Sequence, residues 1–185
     1  MGTVPAQLGL VESFLNSLDV ESGEDDFDSL PRFRRWLAAH GRGSAGRRAG
    51  EDDLALARKV REVLRDEVRR HHPGATAPAG HQRRLNALAG EIGLRAAFTP
   101  EGDVVLRPAT TGVVGMLGEI LAAAVTASTA GTWSRFKLCT ADDCAYVYYD
   151  ASKNASGRWC SMAVCGNRAK TRAYRRRRTG PPDGT

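Results

Sequence analysis

Cys139-Thr-Ala-Asp-Asp-Cys144 and, after fifteen intervening residues, Cys160-Ser-Met-Ala-Val-Cys165 are the stretches on which the reading of this chain turns. They contain all four cysteines of the 185-residue sequence, and the 138 residues before Cys139 contain none. Zinc bound by sulfur takes four thiolates in a tetrahedron, and two short-spaced pairs joined by a longer arm supply them. Taken alone, the residues also permit two disulfides, an iron–sulfur cluster or a redox switch that sheds zinc. In a cytosolic protein disulfides are rare and paired cysteines bind metal more often, which favours zinc. Four sulfur ligands leave no open position for water, so one zinc ion per chain, held by Cys139, Cys144, Cys160 and Cys165, is expected to be structural. A module of about 40 residues is too small for a large core, and a metal staples it.

Charge separates this module from the rest. Residues 1–134 carry 16 Arg/Lys against 17 Asp/Glu, whereas residues 135–178 carry 11 against three, a net of +8. The hydrophobic share of 42% suits a packed core. The start, Met1 to Leu10, lacks a basic patch followed by an apolar stretch, and no apolar run is read as approaching the ~20 residues of a membrane span. A cytoplasmic location without membrane association is therefore expected.

Moving outward toward the N-terminus, Thr111 to Ala130 is apolar and Ala-rich, with Met116, Leu117, Ile120, Leu121 and Val125 at helical spacing. It reads as a buried helix. Arg95–Phe98 and Val104–Leu106 flank Thr99-Pro100-Glu101-Gly102-Asp103, a hairpin signal. Helices are expected over 81–92, 51–71 and 30–40, and a short amphipathic segment over 6–18. Gly41 to Gly50, rich in Gly, Ser, Ala and Arg, reads as a loop. Glu12, Asn16 and Asp19 read as an exposed helix face, and His71 and His72 as a solvated helix end. In the module, 135–139 and 145–149 are expected to pair as strands, and a last helix to run from Gly166 or Asn167 to about Arg177. The fold class is α+β: a mainly helical domain with a short hairpin over 1–130, a small four-cysteine zinc-binding module ending in a basic helix over 135–178, and a flexible tail over 179–185.

The segment from Leu138 to Arg178 resembles the CGNR zinc finger. The tetrapeptide of that name is Cys165-Gly166-Asn167-Arg168, set among the aromatic run Tyr146 to Tyr149, Asp150, Ser152, Asn154 and Arg158-Trp159-Cys160-Ser161-Met162, with Lys170, Arg172 and Tyr174 downstream. The resemblance implies zinc at the four cysteines and a role in nucleic-acid binding. In that family an ABATE domain precedes the finger. Residues 8–130 are similar to it, with Phe14 and Asn16 fitting its opening stretch and Ser17 standing in place of Thr. The resemblance implies a stress-induced transcription regulator.

Arg168, Lys170, Arg172, Arg175, Arg176, Arg177 and Arg178 fall within eleven residues that contain no acid. Such a run neutralises phosphates, and Arg forks to guanine. Lys153 and Arg158 extend the surface from the preceding loop. Trp159, Tyr146, Tyr148 and Tyr149 suit core packing better than base stacking. Arg168 also has a structural reading, bracing the finger beside a ligand turn. The expected function is a zinc-dependent, DNA-binding transcriptional regulator. Its N-terminal domain would dimerise or receive a small-molecule signal. The alternative is a zinc-stabilised protein- or RNA-interaction module with no sequence-specific DNA target. No glycine-rich phosphate loop, trustworthy Ser/His/Asp order or His–Glu metal spacing is present, so an enzyme is not expected.

Overall fold

Among the described residues, six helices and two small antiparallel hairpins enclose the main apolar core, and a seventh helix projects from it. The structure, a computed structural model, describes residues 4–141 and 143–179, with side chains through Arg176. A 3₁₀ turn at Ala6–Leu8 leads into α1 (Gly9–Leu15), which buries Val11, Phe14 and Leu15. The acidic loop that follows places Phe27 in an aromatic cluster with Phe14, Phe33 and Trp36. Helix α2 (Leu30–Ala39) has Pro31 in its first turn and buries Phe33, Trp36 and Leu37, the stripe expected from sequence.

The segment read as a loop over 41–50 instead contains α3 (Gly43–Arg48). Its composition carries no helical period, because packing rather than propensity makes it. A Cβ on Gly46 would lie 3.2 Å from the Arg34 carbonyl oxygen and 3.3 Å from Leu37 Cβ, so α3 sits directly on α2 where a larger residue crowds. Arg34 Nη2 closes the corner by donating to the Ala49 carbonyl at 2.6 Å.

Helix α4 (Glu51–Arg69) starts on three acids, and Asp53 accepts from the Gly50 amide at 2.9 Å. Its buried face holds Leu54, Val60, Val63, Leu64 and Val68, together with Arg61 and Arg65. Helix α5 (His81–Ile92) leads into β1 (Leu94–Phe98), which pairs with β2 (Val104–Pro108) from Leu94↔Pro108 to Phe98↔Val104. Helix α6 (Gly112–Thr129) fills the centre with Val113, Met116, Leu117, Ile120 and Leu121. It is 18 residues long with mean hydropathy 1.5, and among the described residues it is the one helix long and apolar enough to cross a membrane by those measures. That differs from the sequence reading, but half of the helix is buried in the core.

The cysteine module does not hang free of this core. Strands β3 (Phe136–Leu138) and β4 (Val147–Tyr149) pair with Phe136 opposite Tyr149, and Phe136, Leu138 and Val147 join the cluster that contains Phe14, Leu64 and Leu117. The last helix, α7, spans Asn167–Thr179. From residue 180 on, the expected tail lies outside the described residues.

Candidate metal centre and basic helix

Each pair of cysteines is held by its own local device. Cys139 directly follows β3, and its amide donates to the Tyr146 carbonyl at 2.8 Å. Cys144 turns back with its amide on the Ala141 carbonyl at 3.1 Å, and Ala145 takes a left-handed φ of 49°. The second pair is spaced by a π-helical turn over Met162–Gly166, where the Gly166 amide reaches the Ser161 carbonyl at 3.0 Å. Cys165 lies within that turn, and Cys160 stands just before its extended N-cap Ser161. Gly166 lets the Met162 side chain lie close: a Cβ there would meet Met162 Sδ at 2.5 Å and displace it. Thr140 ties the two arms together, its amide donating to the Arg158 carbonyl at 2.9 Å.

All four Sγ atoms lie within 4.8 Å of one another. Cys144 to Cys160 is 3.7 Å and Cys160 to Cys165 is 3.6 Å. A tetrahedron with Zn–S bonds of 2.3 Å has edges of about 3.8 Å, whereas a disulfide bond is about 2.05 Å. The cysteines are free thiols at the spacing of a shared cation. Burial pushes the Cys144 thiol up to about 11, and burial with the negative charge of Cys139 raises that of Cys160. Burial acts in the same sense on Cys165, but the hydrogen bond from Arg168, with help from the other cysteines, brings its thiol below the ordinary value. Four clustered thiolates need a dication to coexist, and zinc supplies it.

Arg168, the last residue of the tetrapeptide, donates from Nη2 to Cys165 Sγ at 3.4 Å. It also grips Glu21 of the N-terminal acidic loop at 2.7 and 3.2 Å, and reaches Asp143 at 3.5 Å. These partners, Glu21 first and then the Cys165 sulfur, strengthen its hold on its proton. Arg172 pairs with Asp143 at 2.7 Å and lowers that carboxyl. The basic helix is therefore not without counter-charge, as its local sequence suggests: Glu21 and Asp143 supply it from elsewhere. Lys153, Arg158, Lys170, Arg175 and Arg176 are exposed. Arg158, Arg172 and Arg176 line one hollow, and Arg168, Arg172 and Arg175 another on the same helix. The side chains of Arg177 and Arg178 lie outside the described residues.

Several groups that position the site escape a sequence reading. Asn16 is half-buried rather than part of an exposed face: its side chain donates to the Val147 carbonyl at 2.7 Å and accepts the Val147 amide at 2.8 Å. His71 and His72 are half-buried rather than a solvated helix end. Their rings donate to the carbonyls of Phe136 at 2.7 Å and Leu138 at 2.5 Å, and burial lowers the His71 pKa. Arg65 bridges the Leu15 and Ala145 carbonyls at 2.6 and 2.7 Å. Lys137 and Asp150 form a buried ion pair at 3.0 Å, their side chains 3% and 5% exposed. Asp150 also accepts from the Ser152 and Gly157 amides, which fixes the loop before Cys160. The one available signal is the Phe136-Lys137-Leu138 alternation, which puts Lys137 on the opposite strand face from two core residues. The aromatics follow the packing reading: Tyr148 and Trp159 lie against the sulfur cluster, Tyr149 packs edge-on to Phe136, and only Tyr146 of the four is exposed.

Fold and site define a class: a small zinc finger with four cysteine ligands, embedded in a helical α+β carrier. Two family models match the chain, the CGNR zinc finger over residues 135–178 and ABATE, described as "Putative stress-induced transcription regulator", over residues 8–131. The chain belongs to this family and holds one structural zinc ion at its four cysteines. No curated protein matches it.

Proposed function

We propose that this protein is a transcriptional regulator that binds duplex DNA through α7, with the zinc centre fixing the angle at which that helix leaves the core. The observation that carries this reading is the concentration of charge. A net of +8 lies in residues 135–178, and Lys170, Arg175 and Arg176 are exposed on the helix that starts at the zinc site, with Arg158 across a shared hollow from Arg176. A focused positive surface on a rigid mount favours a polyanion. Arg168 and Arg172, tied to Glu21, Asp143 and the Cys165 sulfur, orient α7. The remaining cations meet phosphate.

The test is duplex binding by the zinc-loaded chain, followed by fluorescence anisotropy across a salt series. With five to seven phosphates neutralised, log K falls against log salt with a slope of roughly −4 to −6. Replacing Arg175 and Arg176 by Gln removes roughly two units of that slope. A salt-independent affinity refutes the reading, and tighter binding of structured RNA than of any duplex moves it to an RNA-associated module.

A further inference from the structure

Away from the zinc centre, α3, the β1–β2 hairpin and the first turn of α6 surround an open cavity of about 580 Å³. Arg42, Arg48, Arg95 and Arg107 line it, against one acid, Glu119. Glu119 is already held by Arg42. Among the described residues no carboxylate pairs with Arg48, Arg95 or Arg107.

The placement of two of these arginines is unfavourable without a ligand. Arg95 and Arg107 are directly opposite each other in the β1–β2 register. Like charges at facing positions of a ladder repel and destabilise it. The hairpin's own acids, Glu101 and Asp103, lie beyond the other end of the ladder, past the Phe98–Val104 pair. The wall between is completed by the start of α6, whose N-cap residue Thr111 is extended and makes no side-chain cap. The first amides of an 18-residue helix thus border the cavity with their positive end.

We infer that this cavity is an anion site, and that its ligand is a small molecule bearing a phosphate group. The charge calls for an anion with at least two negative charges. The volume lies within the 300–1,000 Å³ of small-molecule sites and exceeds what a bare phosphate fills. A recess lined by four arginines suits a compact phosphate, whereas a nucleic-acid backbone presents its charges along a line. The site belongs to the N-terminal domain and does not depend on whether α7 binds DNA.

The probes are AMP and inorganic phosphate, added to the full zinc-loaded chain. Binding is read by calorimetry and by thermal denaturation, on the wild type, on Arg95→Gln/Arg107→Gln and on Arg175→Gln/Arg176→Gln. Saturating AMP raises the wild-type Tm by roughly 5 °C. In Arg95→Gln/Arg107→Gln the AMP affinity falls at least tenfold, while the Tm without ligand rises by about 1–2 °C as the facing charges are removed. Arg175→Gln/Arg176→Gln keeps the AMP affinity. Stronger binding of AMP than of phosphate confirms an organic phosphoester, and equal binding identifies the bare anion as sufficient. The inference is overturned if neither probe shifts the Tm, if Arg95→Gln/Arg107→Gln binds AMP like the wild type, or if the loss follows Arg175 and Arg176 instead. It is also overturned if Arg95→Gln/Arg107→Gln loses duplex affinity while AMP affinity stays, which would make the cavity part of a nucleic-acid surface.

Discussion

The two hairpins of this chain follow opposite plans. β1–β2 has five-residue strands and a well-formed turn, yet its tip is open: Phe98 is 79% and Val104 63% exposed, and two arginines face each other near its base. β3–β4 has only three residues per strand, and five of its six are buried. A three-residue ladder is too short to stand alone. It is held from outside, by Asn16, His71 and His72 on its backbone, by Arg65 on the adjacent Ala145, and by Phe136, Leu138 and Val147 in the core. The cysteines begin at the next residue. A longer hairpin that rests on α6 only near its base, where Pro108 meets Gly118, thus leaves its tip exposed, while a minimal one clamped by distant groups carries the zinc site and α7.

The sharpest way to break this contrast is to remove the metal. Cys165→Ser takes zinc from one equivalent per chain to nearly none, by elemental analysis of purified protein. Zinc binding in small fingers is worth roughly 10–16 kcal/mol, more than any single packing change. Because β3–β4 is anchored in the main core, its amides keep their hydrogen-exchange protection while residues 158–170 lose theirs. Loss of protection across both strands would mean that zinc holds the hairpin, and that the clamp described above does not.

Next in size is the clamp itself. Phe136 is fully buried between Trp133 and Tyr149. Phe136→Ala costs about 3–5 kcal/mol in denaturant unfolding. Since Phe136 belongs to the core shared with α1, α4 and α6, the whole chain melts earlier, and zinc is lost to a chelator at lower denaturant. A variant in which the N-terminal helices keep wild-type stability would show two independent cores.

A smaller, local effect comes with acid. Burial works against the charged form of Asp150, but hydrogen bonds from Ser152, Lys137 and Gly157 outweigh it and hold the carboxyl well below the usual carboxylate range. Its contribution is therefore complete above the unfolded value of about 3.9 and is lost only as pH falls through the lower folded value. Between pH 7 and 5 the protected amides of Ser152 and Gly157 are unchanged, even where protons begin to displace zinc from the thiolates. They open only in much stronger acid, well below pH 4, as the carboxyl itself takes up its proton. In Asp150→Asn the same amides are weakly protected at every pH, because Lys137 remains buried without its partner. Opening of the wild-type loop at pH 6 would show that the zinc, and not the ion pair, holds it.

What the sequence discloses follows the same division. The sulfur spacing announces the metal because four cysteines in one stretch have few other uses, and α4, α5 and α6 declare themselves by apolar period. Helix α3 does not, since the contact that makes it, Gly46 on Leu37, is a matter of fit and leaves no pattern in composition. The clamp is hidden for a different reason. Asn16, His71, His72 and Arg65 are polar residues whose partners are backbone carbonyls and amides 50 to 131 residues away. Local sequence assigns such residues to solvent, and only tertiary packing gives them a buried role. The counter-charges of Arg168 are hidden likewise, Glu21 lying 147 residues away.

The smallest predicted effect completes the comparison. Phe98 and Phe136 are the same residue type, each at the end of a strand and each facing a partner across a two-stranded ladder. Phe98→Ala removes a ring that is 79% exposed, and exposed substitutions of this kind stay within about 0.5 kcal/mol. Equilibrium unfolding of the two variants under one set of conditions therefore separates them by at least about 2 kcal/mol. The difference isolates burial, since chemistry and local secondary structure are matched. If Phe98→Ala proved as costly as Phe136→Ala, the tip of β1–β2 would have to be covered in solution, and the exposed tip would be an interface.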